Sequence, residues 1–129
     1  MPKLRHPVRV IYGDTDQMGV VYYANYLRFF EASRAALLRS VGFGGVDLER
    51  WGVGFPVIEA NCRYLTPAHY EDLLDIVVET TQVRSASLRF EYRVERGDVL
   101  VAEGFTRHAC ISSDNGRPCR LPRELAETL

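Results

Sequence analysis

This chain lacks metal-ligand spacing, a membrane span, a disulfide pattern and an excess of charge of either sign. Its cysteines are three, Cys62, Cys110 and Cys119, an odd number without paired spacing. That argues against a disulfide framework and fits a reducing, cytoplasmic setting. His6, His69 and His108 are scattered, with no ligand spacing between them or to a cysteine, so neither a metal nor a cofactor is expected. No run approaches the roughly 18 apolar residues of a membrane helix. No basic segment followed by a short apolar run opens the chain, so no secretory signal is read. The 16 basic and 17 acidic residues nearly cancel, which leaves no general footprint for nucleic acid and no polybasic patch for a membrane surface. Repeats, low-complexity segments and linkers are missing too. A chain of 129 residues with 47% hydrophobic residues has room for one core, and a single domain over 1–129 is expected.

What is present alternates between two periods. Residues 8–12 are short and β-branched and read as a strand. From Tyr22, at about 100° per residue, Tyr23, Tyr26, Leu27, Phe30, Leu37, Leu38 and Val41 share one arc. Asn25, Arg28 and Arg39 lie opposite. That predicts an amphipathic helix of about five turns, stopped by Gly42 and loosened further by Gly44-Gly45. Arg34 falls inside the apolar arc, three residues after Glu31, and an Arg34–Glu31 pair is expected to hold it. Beyond the helix the period becomes two. In 57–65, Ile58, Ala60, Cys62 and Tyr64 share a face. In 73–83, Leu74, Ile76 and Val78 do so, and in 87–95, Leu88, Phe90, Tyr92 and Val94. Residues 99–112 read as a last long strand whose alternation falters around Gly104, which suggests a bulge. Residues 122–129 suit a terminal helical turn. Four strands joined by short turns are antiparallel, and one helix must bury its stripe on their sheet. The expected fold is α+β, a curved antiparallel sheet wrapped around one long helix. Long edge strands invite pairing between subunits, so a homo-oligomer is expected.

The stretch GDTDQMG, residues 13–19, sets two carboxylates ahead of the helix. Capping explains them poorly, because a cap sits one residue before a helix and Asp16 lies about six before Tyr22. The first N–H groups of a helix lack partners and carry positive potential. Aimed at a carbonyl, those near Tyr22, Tyr23 and Ala24 would hold a developing oxyanion. A loop carboxylate beside them would act as base or nucleophile, which suffices for acyl transfer without serine or metal. Ser33 lies mid-helix and has no nucleophile-elbow context.

The run Tyr12-Gly13-Asp14-Thr15-Asp16, then Gly19-Val20-Val21-Tyr22-Tyr23-Ala24-Asn25-Tyr26 with Glu31 and Arg34 downstream, resembles the signature of hotdog-fold thioesterases of the 4-hydroxybenzoyl-CoA thioesterase type. It is similar to the branch that includes the Tol–Pal-associated acyl-CoA thioesterases. Arg63-Tyr64-Leu65-Thr66-Pro67-Ala68 and the strand order extend the likeness along nearly the whole chain. The resemblance implies a five-stranded hotdog fold, dimers that often pair into tetramers, and active sites at the subunit interface. It implies hydrolysis of an acyl-CoA thioester, a carrier-protein thioester being the alternative carrier. Asp16 matches the catalytic carboxylate, and the backbone N–H of Tyr23 the donor that polarises the carbonyl. The Tol–Pal-associated branch has histidine where this chain has Tyr23, whereas the hydroxybenzoyl type has tyrosine. Tyr12, Val21 and Asn25 fall at substrate-binding positions. Arg84, with Ser85 and Ser87, lies where CoA phosphates or the pantetheine arm would pass, and Arg89 would add charge. Two other functions for such a fold are a dehydratase or hydratase, which needs a helix histidine this helix lacks, and a non-catalytic acyl-CoA sensor.

Overall fold

The computed structural model describes the backbone of residues 1–129 and every side chain except those of Val46 and Asp47. Five antiparallel strands, β1 (Lys3–Arg9), β3 (Val57–Tyr64), β4 (Leu73–Val83), β5 (Ser87–Arg96) and β6 (Val99–Ala109), form one sheet in the order β1-β4-β5-β6-β3. The long helix α1 (Asn25–Ser40) lies across it. The period-two strands decide which face it meets. Leu88, Phe90, Tyr92 and Val94 of β5, with Leu74, Ile76 and Val78 of β4, are all 2% exposed or less. They pack with Tyr26, Phe29, Phe30, Leu37 and Leu38 of α1 into one core. Phe30 stacks on Tyr92 with ring centres 4.2 Å apart. Burying each such side chain contributes about 1.5–3 kcal/mol. The sheet wrapped around a helix is the arrangement that the resemblance implies.

Several boundaries differ from the sequence reading. The first strand is Lys3–Arg9, not 8–12. Its charges and Pro7 disguise it, and both belong on a sheet edge, where β1 lies. Helix α1 begins at Asn25, because the N–H of Tyr22 is held by the Asp14 carbonyl in a turn. Tyr23 and Leu27 of the expected arc are therefore exposed, and Phe29 and Ser33 are buried instead. The glycines after Gly42 do not only loosen the chain, for Gly45–Arg50 forms a short helix, α2. The last long strand breaks at Cys110, and β7 (Ile111–Ser112) pairs with β2 (Val53–Gly54) as a separate ribbon. Helix α3 (Arg123–Thr128) ends the chain as expected.

The bulge expected around Gly104 lies three residues earlier, where Val101 is the extra residue as the register between β5 and β6 shifts; Gly104 itself is regularly paired. It pairs in register with Tyr92 on one side and Cys62 on the other. A Cβ there would collide with the Asn61 carbonyl, so glycine is what lets β3 approach β6. That strand, expected to bury alternate residues, is exposed along nearly its whole length; Val57, Ile58 and Tyr64 are 49%, 54% and 50% exposed. It is the outer edge of the sheet.

Arg34 makes no ion pair with Glu31. It donates to the Tyr92 hydroxyl at 2.9 Å, because the helix turns it toward the sheet while Glu31 faces solvent. From there a hydrogen-bonded chain crosses the core. Tyr92 Oη lies 2.6 Å from Thr106 Oγ1, which lies 2.8 Å from His108 Nε2. His108 Nδ1 lies 3.0 Å from the Phe55 carbonyl, which can only accept. That fixes the proton on Nδ1 and aligns each donor in turn.

Burial, reinforced by the Arg34 charge and opposed by the Phe55 carbonyl, pushes His108 down to about 4. Its folded pKa thus lies below its unfolded value near 6.5. Between those values the unfolded chain takes up a proton that the folded chain refuses. The stabilisation is complete above pH 6.5 and is lost as pH falls toward 4, a change of roughly 3 kcal/mol. Urea midpoints measured from pH 7 to pH 4.5 should fall for the wild type and fall less for His108→Gln, which has no proton to gain. Equal slopes in both proteins would contradict this account.

Candidate active site

The acidic stretch folds into a small hairpin ahead of α1. Thr15 pairs with Val21, and Val20 with His69. At its tip the Asp16 carbonyl accepts the Gly19 N–H, and the Asp16 N–H donates to Val20, each at 2.9 Å. Gly19 has φ +79°, a left-handed conformation that suits glycine and closes the turn. Asp16 Oδ1 accepts the Met18 N–H at 2.8 Å. Its second oxygen has no partner among the described residues. Asp16 is half-buried and stands where a reactant can reach that oxygen.

Asp14 plays a different part. It is buried, and its Oδ2 accepts the Ile11 N–H at 2.9 Å. Its carbonyl accepts both the Tyr22 N–H and the Asn25 side-chain amide, each at 2.9 Å. Arg28 lies 3.6 Å from its Oδ1. One residue therefore ties the exit of β1 to the start of α1. Asn25, a substrate-binding position by the resemblance, thus reaches back to the acidic loop through its amide N–H.

The Tyr22 N–H is accordingly occupied and drops out as a candidate donor. Among the described residues the N–H groups of Tyr23 and Ala24 have no acceptor, and they are the open donors at the helix start. An aromatic group surrounds them. Tyr22 and Tyr23 have ring centres 4.6 Å apart. Tyr64 packs edge-on to Tyr23 and Tyr26 at 6.3 and 5.4 Å, and its hydroxyl donates to the Tyr23 carbonyl at 3.0 Å. Burial and the neighbouring Cys62 push Tyr64 up to about 12, so it stays a donor. The pKa of the Tyr22 hydroxyl is raised, chiefly by its contact with Tyr23 and least by the Asp16 charge. Tyr12, 79% exposed, packs against Tyr70 with ring centres 6.0 Å apart. Val21 is buried, its N–H donated to Ala68, and it forms the floor under the hairpin.

The expected carrier region lies apart, at the turn between β4 and β5. Gln82, Arg84, Ser87, Leu88, Arg89 and Arg107 line a cavity of about 140 Å³. Sequence reasoning named Arg84, Ser87 and Arg89 and missed Arg107, which faces Arg89 across β5 and β6. Only the register brings it there, and spacing along the chain carries no sign of it. Arg107 pairs with Glu59 at 2.8 Å and Arg89 approaches Glu91 at 3.9 Å. Arg84 has no carboxylate within ion-pair distance among the described residues. Ser85 does not line the cavity; its carbonyl accepts the Leu121 N–H at 2.9 Å.

Comparison with known proteins bears on this geometry. Residues 10–129 match the family model described as the thioesterase-like superfamily. An acyl-CoA thioesterase, YbgC, of Haemophilus influenzae is 36% identical over 92% of this chain and 88% of its own length. A 1,4-dihydroxy-2-naphthoyl-CoA hydrolase of Synechococcus elongatus is 33% identical over 94% of this chain and 91% of its own. The crystal structure of a hypothetical protein from Thermus thermophilus superposes with a TM-score of 0.91 at 36% identity, covering 98% of this chain and 94% of that one. The chain belongs to the thioesterase-like superfamily and has its hotdog fold.

Proposed function

We propose that this chain hydrolyses the thioester of a small or aromatic acyl-CoA to the free acid and CoA. The observation that carries the reading is that one hairpin holds both an Asp16 carboxylate oxygen with no partner among the described residues and, where it leads into α1, the open N–H groups of Tyr23 and Ala24. The thioester carbonyl oxygen accepts from the Tyr23 N–H, which strengthens as negative charge develops there. Asp16 then either attacks the carbonyl carbon, expelling the CoA thiolate to leave an anhydride that water opens, or takes a proton from an attacking water. The tyrosines around the donors suit a flat aromatic acyl group. The naphthoyl-CoA hydrolase among the relatives supports that choice.

The carrier's phosphates sit at the Arg84, Arg89 and Arg107 cavity, with Ser87 as hydrogen-bond donor. Thiol release from short-chain, benzoyl-type and naphthoyl-type CoA thioesters tests the activity; no release from any would overturn it. In the same assay Arg84→Ala should raise KM for acyl-CoA about tenfold with a smaller change in kcat, as loss of uniform binding does. A truncated N-acetylcysteamine thioester should be nearly indifferent to it. Equal loss on both substrates would mean that Arg84 supports the fold.

The working unit is a homodimer, able to pair into a tetramer, in the reducing cytoplasm. The support is the bare edge β3, whose exposed Val57, Ile58 and Tyr64 continue into the site through the Tyr64–Tyr23 bond. Pairing two such edges extends the sheet and encloses the aromatic surface. Sedimentation at micromolar concentration should show no monomer for the wild type and mainly monomer for Ile58→Lys, with activity lost in parallel. A monomeric wild type at full activity would refute the shared site.

A further inference from the structure

Two thiols that the catalytic reading does not use lie side by side. Cys110 follows the end of β6, and Cys119 stands opposite it on the returning segment, where Ile111 and Pro118 pair antiparallel. The Cys119 N–H donates to the Cys110 carbonyl at 3.0 Å, and the two sulfurs are 3.6 Å apart. Opposed residues of an antiparallel pair have Cα atoms about 4.5–5.5 Å apart, inside the roughly 4.4–6.8 Å range of disulfides. Cys110 is fully buried, whereas Cys119 is half-buried, so a reagent meets Cys119 first. Burial and the contact with Cys119 push the Cys110 thiol up to about 12, which keeps it from reacting ahead of its neighbour. Cys62 lies on β3, away from the pair.

Both strands of the pair hold the turn at 84–87. The Cys110 N–H donates to the Ala86 carbonyl and the Leu121 N–H to the Ser85 carbonyl, each at 2.9 Å. That turn carries Arg84 and Ser87 of the basic cavity.

We propose that Cys110 and Cys119 form a reversible, peroxide-responsive thiol–disulfide site that, when closed, alters how the 84–87 turn receives the thioester carrier. The second half rests on the carrier assignment made above. In the first step one peroxide oxygen passes to the Cys119 sulfur, giving a sulfenic acid and one water. The Cys110 sulfur then attacks that sulfur. The S–S bond forms, the S–O bond breaks, and the hydroxyl leaves with the Cys110 proton as a second water. Two thiols lose two electrons and two protons, and the peroxide is reduced to two waters. A cellular dithiol restores the pair by exchange, the pattern of cytosolic redox sensors.

The test uses the whole reduced protein treated with stoichiometric hydrogen peroxide, alkylated, digested with trypsin and weighed. Both cysteines fall in the peptide 108–120, since Arg117 precedes Pro118 and resists cleavage. That peptide should be lighter by two hydrogens and unalkylated, while the Cys62 peptide is alkylated. Dithiothreitol should reverse the change, and Cys119→Ser should abolish it. Oxidation should raise KM for acyl-CoA about threefold or more with kcat within about twofold, leaving the truncated thioester unaffected. Alkylation at both positions, overoxidation of Cys119 without a crosslink, or a bond to Cys62 would overturn the site. A disulfide that changes neither KM, or both KM values equally, would overturn its coupling to the carrier. Arg84→Ala on the reduced enzyme reports on the carrier assignment separately.

Discussion

Asp16→Asn will lower kcat for acyl-CoA hydrolysis by about 10²–10⁴-fold, the usual worth of a positioned acid–base group. The substitution removes charge and basic lone pairs while keeping size. An asparagine oxygen still accepts the Met18 N–H that Asp16 Oδ1 now holds at 2.8 Å, so the hairpin tip keeps its shape. Binding of a non-hydrolysable thioether analogue, followed by calorimetry, should stay within a few-fold. The contrast lies two residues away. Asp14 is buried, and its carboxylate braces Ile11 rather than facing a reactant. Asp14→Asn should therefore cost stability of about 1 kcal/mol and reduce kcat far less. A well-folded Asp16→Asn protein with near wild-type turnover would remove Asp16 from the chemistry and leave the site as an acyl-CoA receptor.

The two aspartates also show what the sequence could and could not convey. Their spacing before an apolar segment was enough to argue that Asp16 does not cap α1, which begins nine residues later at Asn25. It gave no sign that Asp14 would be buried, because that depends on Ile11 turning back after β1. Periodicity was a sure guide where a strand has one buried face, as in Leu88 to Val94, since alternation is the direct trace of burial. It misled at β3, whose alternating residues lie bare at the edge of a single chain. It also missed β1, where charges and Pro7 suit an edge but break the apolar pattern. Glycine carried two meanings that one sequence cannot distinguish. Gly19 closes a turn through a positive φ, whereas Gly104 serves close strand approach, the bulge lying three residues before it at Val101. Arg34 marks the limit of helix-local reasoning. A partner three residues away was in reach, yet Tyr92, 58 positions on, holds it. Arg107 and Tyr64 join their clusters through contacts that spacing does not show, Arg107 by the β5–β6 register and Tyr64 by its hydroxyl bond to the Tyr23 carbonyl, 41 residues away.

Replacing the amide N–H of position 23 tests the other half of the mechanism, and its effect should nearly match that of Asp16. If Tyr23 is introduced as the α-hydroxy counterpart of tyrosine, an ester oxygen replaces that N–H and the side chain stays. This N–H has no acceptor among the described residues, so its loss breaks no hydrogen bond described in the fold. The neighbouring Tyr22 N–H, held by Asp14, and the Tyr23 carbonyl, held by Tyr64, keep their partners. Removing one preorganised oxyanion donor typically costs about 10²–10³ in kcat, and that loss is expected here with KM little changed. Tyr23→Phe separates the side chain from the backbone. It retains the amide and the ring beside Tyr22 and Tyr64 and loses only the hydroxyl, so kcat should stay within about fivefold, below the span of acid–base catalysis. The opposite ranking, a silent ester and a crippled phenylalanine, would move the chemistry from the helix start to the phenol.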